Sequence, residues 1–406
     1  MRTLKHLLEK PNLVWVGIGV LFALVFWFKM QHLPMDGEQE KKTYEILQTF
    51  AEGGFPPKIY LIKTLPDWGH IGYYALMGFF TKSVHSDLSK VKAFHLFFVL
   101  ACLFIFVRLG YFFIYRNRLN PMWISVALLV FAANPYLWKS AFQVHFLGMF
   151  LFCILLSLYC YEKELIGWSS IFLTLAVFID WQALLLAVAF LISYFFEDKG
   201  KLLKPAKWGN LLLPFLGSAL LLGSWHGLVP QGEARDWWQT YLSASSVFHL
   251  DRFFYALILL VFYSLFFTWV WGLKARSGAL TFAAVGTALC IPFYFFFPIQ
   301  FELWNEAKYG LQVPLGYVDQ LAYIVAGPYK SWLLFIPWLV GLFLFFQLFL
   351  MDIFDQSKRL RYFIILYFFT SPFVLGFGDE SFLIVLPFIL LLTLSETLVG
   401  EHGKLN

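Results

Sequence analysis

The sequence predicts an all-α integral membrane protein with about twelve transmembrane helices, eleven to thirteen, and a long first extracytoplasmic loop that carries short interfacial helices. Three observations predict it. The chain is 60% hydrophobic and only 14% charged, where a soluble domain averages roughly 25% charged. Its apolar residues gather in runs that approach the ~20 residues needed to cross a hydrocarbon core about 30 Å thick, at about 1.5 Å per residue. The basic residues between the runs fall unevenly on alternate connections.

The runs lie near 13–30, 92–115, 121–138, 143–161, 165–181, 182–196, 209–226, 252–273, 277–298, 329–350, 360–376 and 381–397. The first, Leu13–Met30, reads as a retained span, because no small-residue cleavage site follows it. One set of connections carries Arg2, Lys5, Lys10, Arg116, Arg118, Lys163, Lys199, Lys201, Lys204, Lys207, Lys274, Arg276, Lys358, Arg359, Arg361 and Lys404. The other set carries Lys139, Arg235, Arg252, Lys308 and Lys330. Leaving the long first loop aside, as the positive-inside rule requires, sixteen stand against five. The richer side is expected to be cytoplasmic. An even number of spans then puts both termini there, in a plasma (inner) membrane. The first loop, the Asp180 corner, the loops 226–251 and 299–328 and the turn at Asp379 are expected to face outward.

The four cysteines, Cys102, Cys153, Cys160 and Cys290, all lie inside apolar runs and read as small core residues. No separate soluble domain, low-complexity tract or internal repeat is visible. The chain 1–406 is therefore expected to form one transmembrane domain: a first span at 13–30, the loop 31–92, and the remaining spans over 92–397.

The first loop has an order of its own. Asp36 can cap a helix in which Tyr44, Ile46, Leu47, Phe50 and Ala51 recur at helical spacing, and Gly53-Gly54 can end it. Pro56-Pro57 forces an extended turn. Residues 70–82 are apolar and aromatic but too short to span, which suits a membrane-interface segment.

Asp36 and Glu38 are the first candidates for chemistry. Paired carboxylates just beyond a span can take a proton from an acceptor hydroxyl or amine. They can hold a divalent cation such as Mg or Mn, or simply cap a helix. Asp180 closes an apolar run, where an acid is costly unless it meets water or a partner. His70 follows a turn and can bind phosphate, bind metal or assist a base. Arg235 lies among Glu233, Asp236, Trp237 and Trp238, a pattern that also suits a rim charge between aromatic anchors. Glu302, Trp304, Glu306 and Lys308 read as a solvated loop face that could touch a sugar. Arg108 reads as a snorkelling side chain.

Asp36-Gly37-Glu38 early in a long outer loop resembles the acidic motif of the GT-C superfamily of membrane glycosyltransferases. Pro66-Asp67-Trp68-Gly69-His70-Ile71-Gly72-Tyr73-Tyr74 is similar to the Pro/His/Tyr-rich segment those enzymes carry before their second span. Asn134-Pro135-Tyr136 resembles another shared feature. Asp180-Trp181, and Asp379-Glu380-Ser381-Phe382 with Leu386-Pro387, are similar to motifs of the bacterial branch akin to protein mannosyltransferases. The resemblance runs through most of the chain as short motifs in the family's order. The family's late basic residue has no counterpart, since Gly376, Phe377 and Gly378 precede Asp379.

The resemblance implies an inverting transfer of a sugar from a polyprenyl-phosphate or polyprenyl-pyrophosphate lipid to a glycan, lipid or protein acceptor outside the cytoplasm. It places the acceptor base or a metal ligand at Asp36, with Glu38 second. The activated leaving group asks the protein for a base, positioning and phosphate neutralisation. The residues open to donor-phosphate or substrate binding are His70, Lys58, Lys63, Asp180, Arg235 and Arg252. Membrane lipids are expected partners; nucleic acid is not. The competing readings are a lipid or saccharide transporter, a polysaccharide polymerase or ligase, and an inactive GT-C-like scaffold subunit. A transporter should show repeat symmetry and mid-membrane charge. A polymerase should carry a large late outer loop.

Overall fold

The computed structural model of the protein describes residues 8–30, 35, 37–53, 70–117, 120–197, 205–226, 231, 235–236, 250–274, 277–296, 316–350, 358–373 and 379–396. Their secondary structure is helical throughout, and no strand occurs among them. Among the described residues three helical stretches are long and apolar enough to cross a membrane, Pro11–Phe28, Leu88–Ile114 and Lys330–Leu348, and the bent pair Pro135–Phe142 with Leu147–Glu162 makes a fourth if it is one span. The chain divides into two compact units, Met1–Tyr111 with Ile124–Ser245, and Phe112–Trp123 with Ser246–Asn406.

The first unit opens with α1, Pro11–Val25, which proline starts at its first turn. One face of α1 is buried through Val14, Ile18 and Phe22, while Leu13, Val16, Val20, Leu21 and Leu24 are exposed, as suits a helix flanked by lipid. Helix α2, Gly37–Gly53, begins one residue after Asp36, where a cap at that position would start it. It packs on α3, Ile71–Ser83. Helix α4, Leu88–Asn117, is the longest among the described residues, at 30 residues.

The run near 121–138 is not one helix. It divides into α5, Met122–Ala132, and α6, Pro135–Phe142. Asn134 caps α6, its side-chain oxygen accepting the Tyr136 N–H at 3.0 Å, and Pro135 fills the first helical position. An Asn-Pro pair combines a strong cap with a missing donor, so it starts a new helix inside an apolar run. Next comes α7, Leu147–Glu162, bent by 109° from α6 at a four-residue break. The rings of Phe22 and Trp138 pack at 4.1 Å, which holds α1 against α6.

Helix α8, Ile166–Ile179, is the hub of this unit. It packs against α3, α7, α9 (Ala183–Glu197) and α10 (Pro205–Trp225). With 14 residues it is about 21 Å long, shorter than the hydrocarbon core. Ser157 on α7 bonds the Ser169 carbonyl at 2.8 Å, so the small polar residues of this contact satisfy one another.

The second unit contains α11 (Leu250–Lys274), α12 (Ser277–Phe296), α13 (Tyr317–Ala326), α14 (Lys330–Leu350), α15 (Lys358–Thr370) and α16 (Asp379–Glu396). Helix α11 packs on both α14 and α16. Trp338 is fully buried, its ring 4.8 Å from Tyr294 and 5.3 Å from Phe254.

Candidate functional site

Helix α2 turns Tyr44, Leu47, Phe50 and Ala51 inward. Glu40 lies one turn before Tyr44 on the same face and is carried in with them. It is 3% exposed. Its Oε1 lies 3.2 Å from the Nζ of Lys92, which is 2% exposed. The same oxygen accepts the Val144 N–H at 2.9 Å. Val144 belongs to the break between α6 and α7, where a helix would have supplied that donor's partner. Glu40 therefore supplies the hydrogen bond that the break removes, in surroundings where an unsatisfied N–H is costly.

His145, in the same break, accepts the Leu147 N–H at 3.2 Å through Nδ1 and so meets one of the open donors at the start of α7. Beside it lies a second polar pair. A carbonyl oxygen can only accept, so His95 Nδ1 donates to the Val91 carbonyl at 2.8 Å. Its Nε2 then accepts the Tyr73 hydroxyl at 2.7 Å. Burial, and after it the Glu40 carboxylate, push the Tyr73 phenol well above its ordinary range, so it stays a neutral donor. Lys92 and His145 are both within electrostatic reach of His95. Glu40, Lys92, Tyr73, His95 and His145 thus form one buried polar cluster.

His70 sits immediately before α3. Its Nδ1 lies 2.6 Å from the carbonyl oxygen of Ile179, the last residue of α8. Its ring lies flat on Phe146, centroids 3.7 Å apart and planes 18° from parallel. Phe146 also packs on the His145 ring at 4.8 Å. Gly72 makes this approach possible. A Cβ there would come within 2.9 Å of the Phe178 side chain and 3.1 Å of its carbonyl carbon. Only a glycine lets α3 lie this close to the end of α8.

Asp180 follows Ile179 in extended backbone and ends α8. Its Oδ1 accepts the Gln182 N–H at 2.8 Å, an Asx turn that leads the chain into α9. Trp181 packs on Trp225 with ring centroids 6.0 Å apart, and Arg235 donates to the Trp225 carbonyl at 2.5 Å.

Three of the residues singled out in the sequence therefore gather at or near one corner. His70 and Asp180, far apart in the chain, meet at the end of α8, and Arg235 joins through the tryptophan pair. Arg252 lies in the second unit, near the start of α11, and is 5% exposed. Asp36, Lys58 and Lys63 lie outside the described residues, as do Glu302, Trp304, Glu306 and Lys308. Glu38 belongs to the first turn of α2 by its backbone alone. Among the described residues, no group of three or more His, Cys, Asp or Glu stands close enough to hold a metal ion.

The sequence reading missed the buried cluster. One signal for Glu40 was present: it precedes Tyr44, Leu47 and Ala51 by one, two and three turns. Lys92 and His95, three residues apart at the start of one apolar run, and His145 in another carried no signal that would join them to Glu40.

The second unit holds a separate buried carboxylate. Asp379, the first residue of α16, accepts hydrogen bonds from the Tyr255 hydroxyl, from the Tyr263 hydroxyl at 2.8 Å and from the Val318 N–H at 3.1 Å. Nearby, Lys330 and Asp319 pair at 3.1 Å between α14 and α13.

No protein-family model, no curated protein and no solved structure matches the chain.

Proposed function

We propose that the protein is a multi-pass membrane glycosyltransferase. It takes a sugar from a polyprenyl-phosphate or polyprenyl-pyrophosphate donor and passes it, with inversion, to an acceptor on the extracytoplasmic face. About twelve spans, both termini in the cytoplasm and a GT-C-like arrangement belong to this reading. The observation that carries it is the meeting of His70 and Asp180 at the end of α8. Both come from motifs that resemble the family's, and both lie in the unit that contains the start of α2, one residue beyond Asp36.

Asp36, with Glu38 second, takes the acceptor proton as the acceptor oxygen or nitrogen bonds to the sugar's anomeric carbon. The electron pair of the broken carbon–oxygen bond leaves on the lipid phosphate. Arg235, one of whose N–H groups is held by the Trp225 carbonyl, carries fixed positive charge beside the corner and suits the leaving phosphate. Lys92 is committed to Glu40 and supports the scaffold.

The test is glycosyl transfer by the full chain in membranes, with a panel of polyprenyl-phosphate and polyprenyl-pyrophosphate sugars. Wild type transfers at least one, and Asp36→Asn reduces the rate by about 10²-fold or more while inserting normally. Normal transfer by Asp36→Asn overturns the base assignment, and no transfer by wild type with any donor overturns the enzyme reading.

One observation favours a second reading, a lipid-linked-saccharide transporter. Broken helices in the membrane often line transport sites, and α6 and α7 meet at 109°. Movement of the intact donor across vesicle membranes, with no new glycosidic bond, is the outcome that selects it.

A further inference from the structure

We propose that His70 and the corner behind it form a hydroxyl-accepting sugar subsite rather than a phosphate site. The proposal rests on the glycosyltransferase reading for the identity of its ligand.

The argument begins with the tautomer. His70 Nδ1 is 2.6 Å from the Ile179 carbonyl oxygen, which has no proton to give. Nδ1 must therefore carry one, and a neutral ring then presents only a lone pair at Nε2. Two contacts fix where that lone pair sits. The Ile179 bond sets the rotation about the ring axis, and the Phe146 ring, 3.7 Å away and nearly parallel, sets the ring plane. A phosphodiester oxygen has no proton to give and cannot bond to such a nitrogen unless the ring takes up a second one. A sugar hydroxyl can.

The adjoining residues have the same character. Asp180, next after Ile179, is a carboxylate at the end of α8. Gln182, two residues on, has a buried side-chain oxygen with no hydrogen-bond donor. A buried amide oxygen left unmet is costly, and a donor from a ligand removes that cost. Within one four-residue corner the chain thus offers an amide oxygen and a carboxylate, and the imidazole whose Nδ1–H bonds the corner's first residue adds a lone pair at Nε2. Each accepts hydrogen bonds. A ligand with several O–H groups matches this corner, and an anion does not.

The subsite then divides labour within the reaction. The sugar hydroxyls are read at the α8–α9 corner, and phosphate neutralisation falls to Arg235 or to lysines of the first loop. His70 is a binding residue here and takes no proton.

The experiment uses the full-length protein in lipid nanodiscs with ¹⁵N-labelled histidine, and His70→Phe identifies the His70 signals. A panel of water-soluble alkyl glycosides and, separately, an alkyl phosphate are titrated below their micelle concentrations. The expected result is the tautomer with its proton on Nδ1, its Nε2 moved by at least one glycoside and unchanged by the phosphate. Gln182→Met should weaken that glycoside about fivefold, as the loss of one hydrogen bond does. A protonated Nε2 before ligand is added, a response to the phosphate alone, or no response to either probe overturns the proposal. Sugar transfer is measured on the same preparation. A glycoside response at His70 without any transfer keeps the subsite and removes the enzyme. Transfer without a response at His70 does the reverse.

Discussion

The ammonium of Lys92 lies 3.2 Å from Glu40 Oε1, and neither side chain reaches solvent to any useful extent. The pair joins the start of α4 to the first turns of α2. Through the Val144 N–H it also ties in the break between α6 and α7. One carboxylate thus connects the helix that follows Asp36 to two others.

Such a pair is costly to halve. Removing one partner from a buried ion pair costs roughly 3–5 kcal/mol, because the other charge is left without compensation. Lys92→Met should therefore lower stability by about that much. Adding Glu40→Gln should restore most of it, since the neutral amide oxygen can still accept the Val144 N–H. Thermal unfolding of the single and double variants in nanodiscs checks this. A double variant no more stable than Lys92→Met would show that charge compensation is not the reason.

The Tyr73 hydroxyl makes a narrower case. It donates to His95 Nε2 at 2.7 Å, and both side chains are buried. Tyr73→Phe keeps the ring and leaves the imidazole nitrogen without its donor. The expected loss is about 1–3 kcal/mol. Tyr73→Phe with His95→Leu should recover part of that loss if the bond is the cause. Unfolding midpoints of the three proteins settle it.

How much of this was legible in the sequence depends on the kind of signal. Helix positions were, because apolar periodicity and caps act locally. The segments at 71–83 and 166–179 lie close to where patterning puts them. The corner at Asp180 was legible for the same reason: an acid ending an apolar run has to turn the chain. The break at Gln143 to Phe146 was not. Its Val144 N–H is met by Glu40, about a hundred residues earlier, and the spacing that turns Glu40 inward does not say what it meets. The split of the run near 121–138 rests on Asn134-Pro135, a visible cap signal that composition alone passes over.

Asp379 predicts a pH dependence in the second unit. It is the first residue of α16 and fully buried. Burial raises its pKa above the usual carboxylate range, and the bonds from Tyr255, Tyr263 and Val318 offset part of that rise. A carboxyl whose folded value lies above its unfolded one binds its proton more tightly in the folded state. Its contribution is complete below the unfolded value of about 3.9 and is lost as pH rises through the folded value. Wild-type stability should therefore fall across that window, and Asp379→Asn should flatten the fall. Unfolding followed between acidic and neutral pH reads both. A variant with an unchanged slope would assign the titration to another group.

The backbone around that carboxyl is equally constrained. Gly316 has φ +142°, and a Cβ there would overlap the Asp379 carboxyl. Gly316→Ala combines backbone strain with a clash, and should cost about 1–3 kcal/mol. Because the overlap is with Asp379 itself, Gly316→Ala should also change the pH slope that Asp379 sets. A loss of stability at every pH with no change in slope would separate the strain from the carboxyl.

Asp180 offers the test that separates scaffold from charge in the first unit. Its Oδ1 holds the Gln182 N–H at 2.8 Å, and its own N–H is bonded to the Ala176 carbonyl at 2.8 Å. These two bonds shape the corner from which the Ile179 carbonyl receives His70. Asp180→Asn keeps an oxygen at the capping position and removes the negative charge. Asp180→Ala removes both. If the residue only shapes the corner, Asn should leave both the His70 tautomer and sugar transfer near wild type. Ala should disturb both, at a cost of about 0.5–2 kcal/mol for the lost cap. If the charge itself meets the ligand, transfer should fall in Asn and Ala alike while the Asn protein keeps its stability. Histidine nitrogen spectra, unfolding midpoints and initial rates on the same two variants distinguish the roles, since only a ligand contact makes Asn as damaging to transfer as Ala.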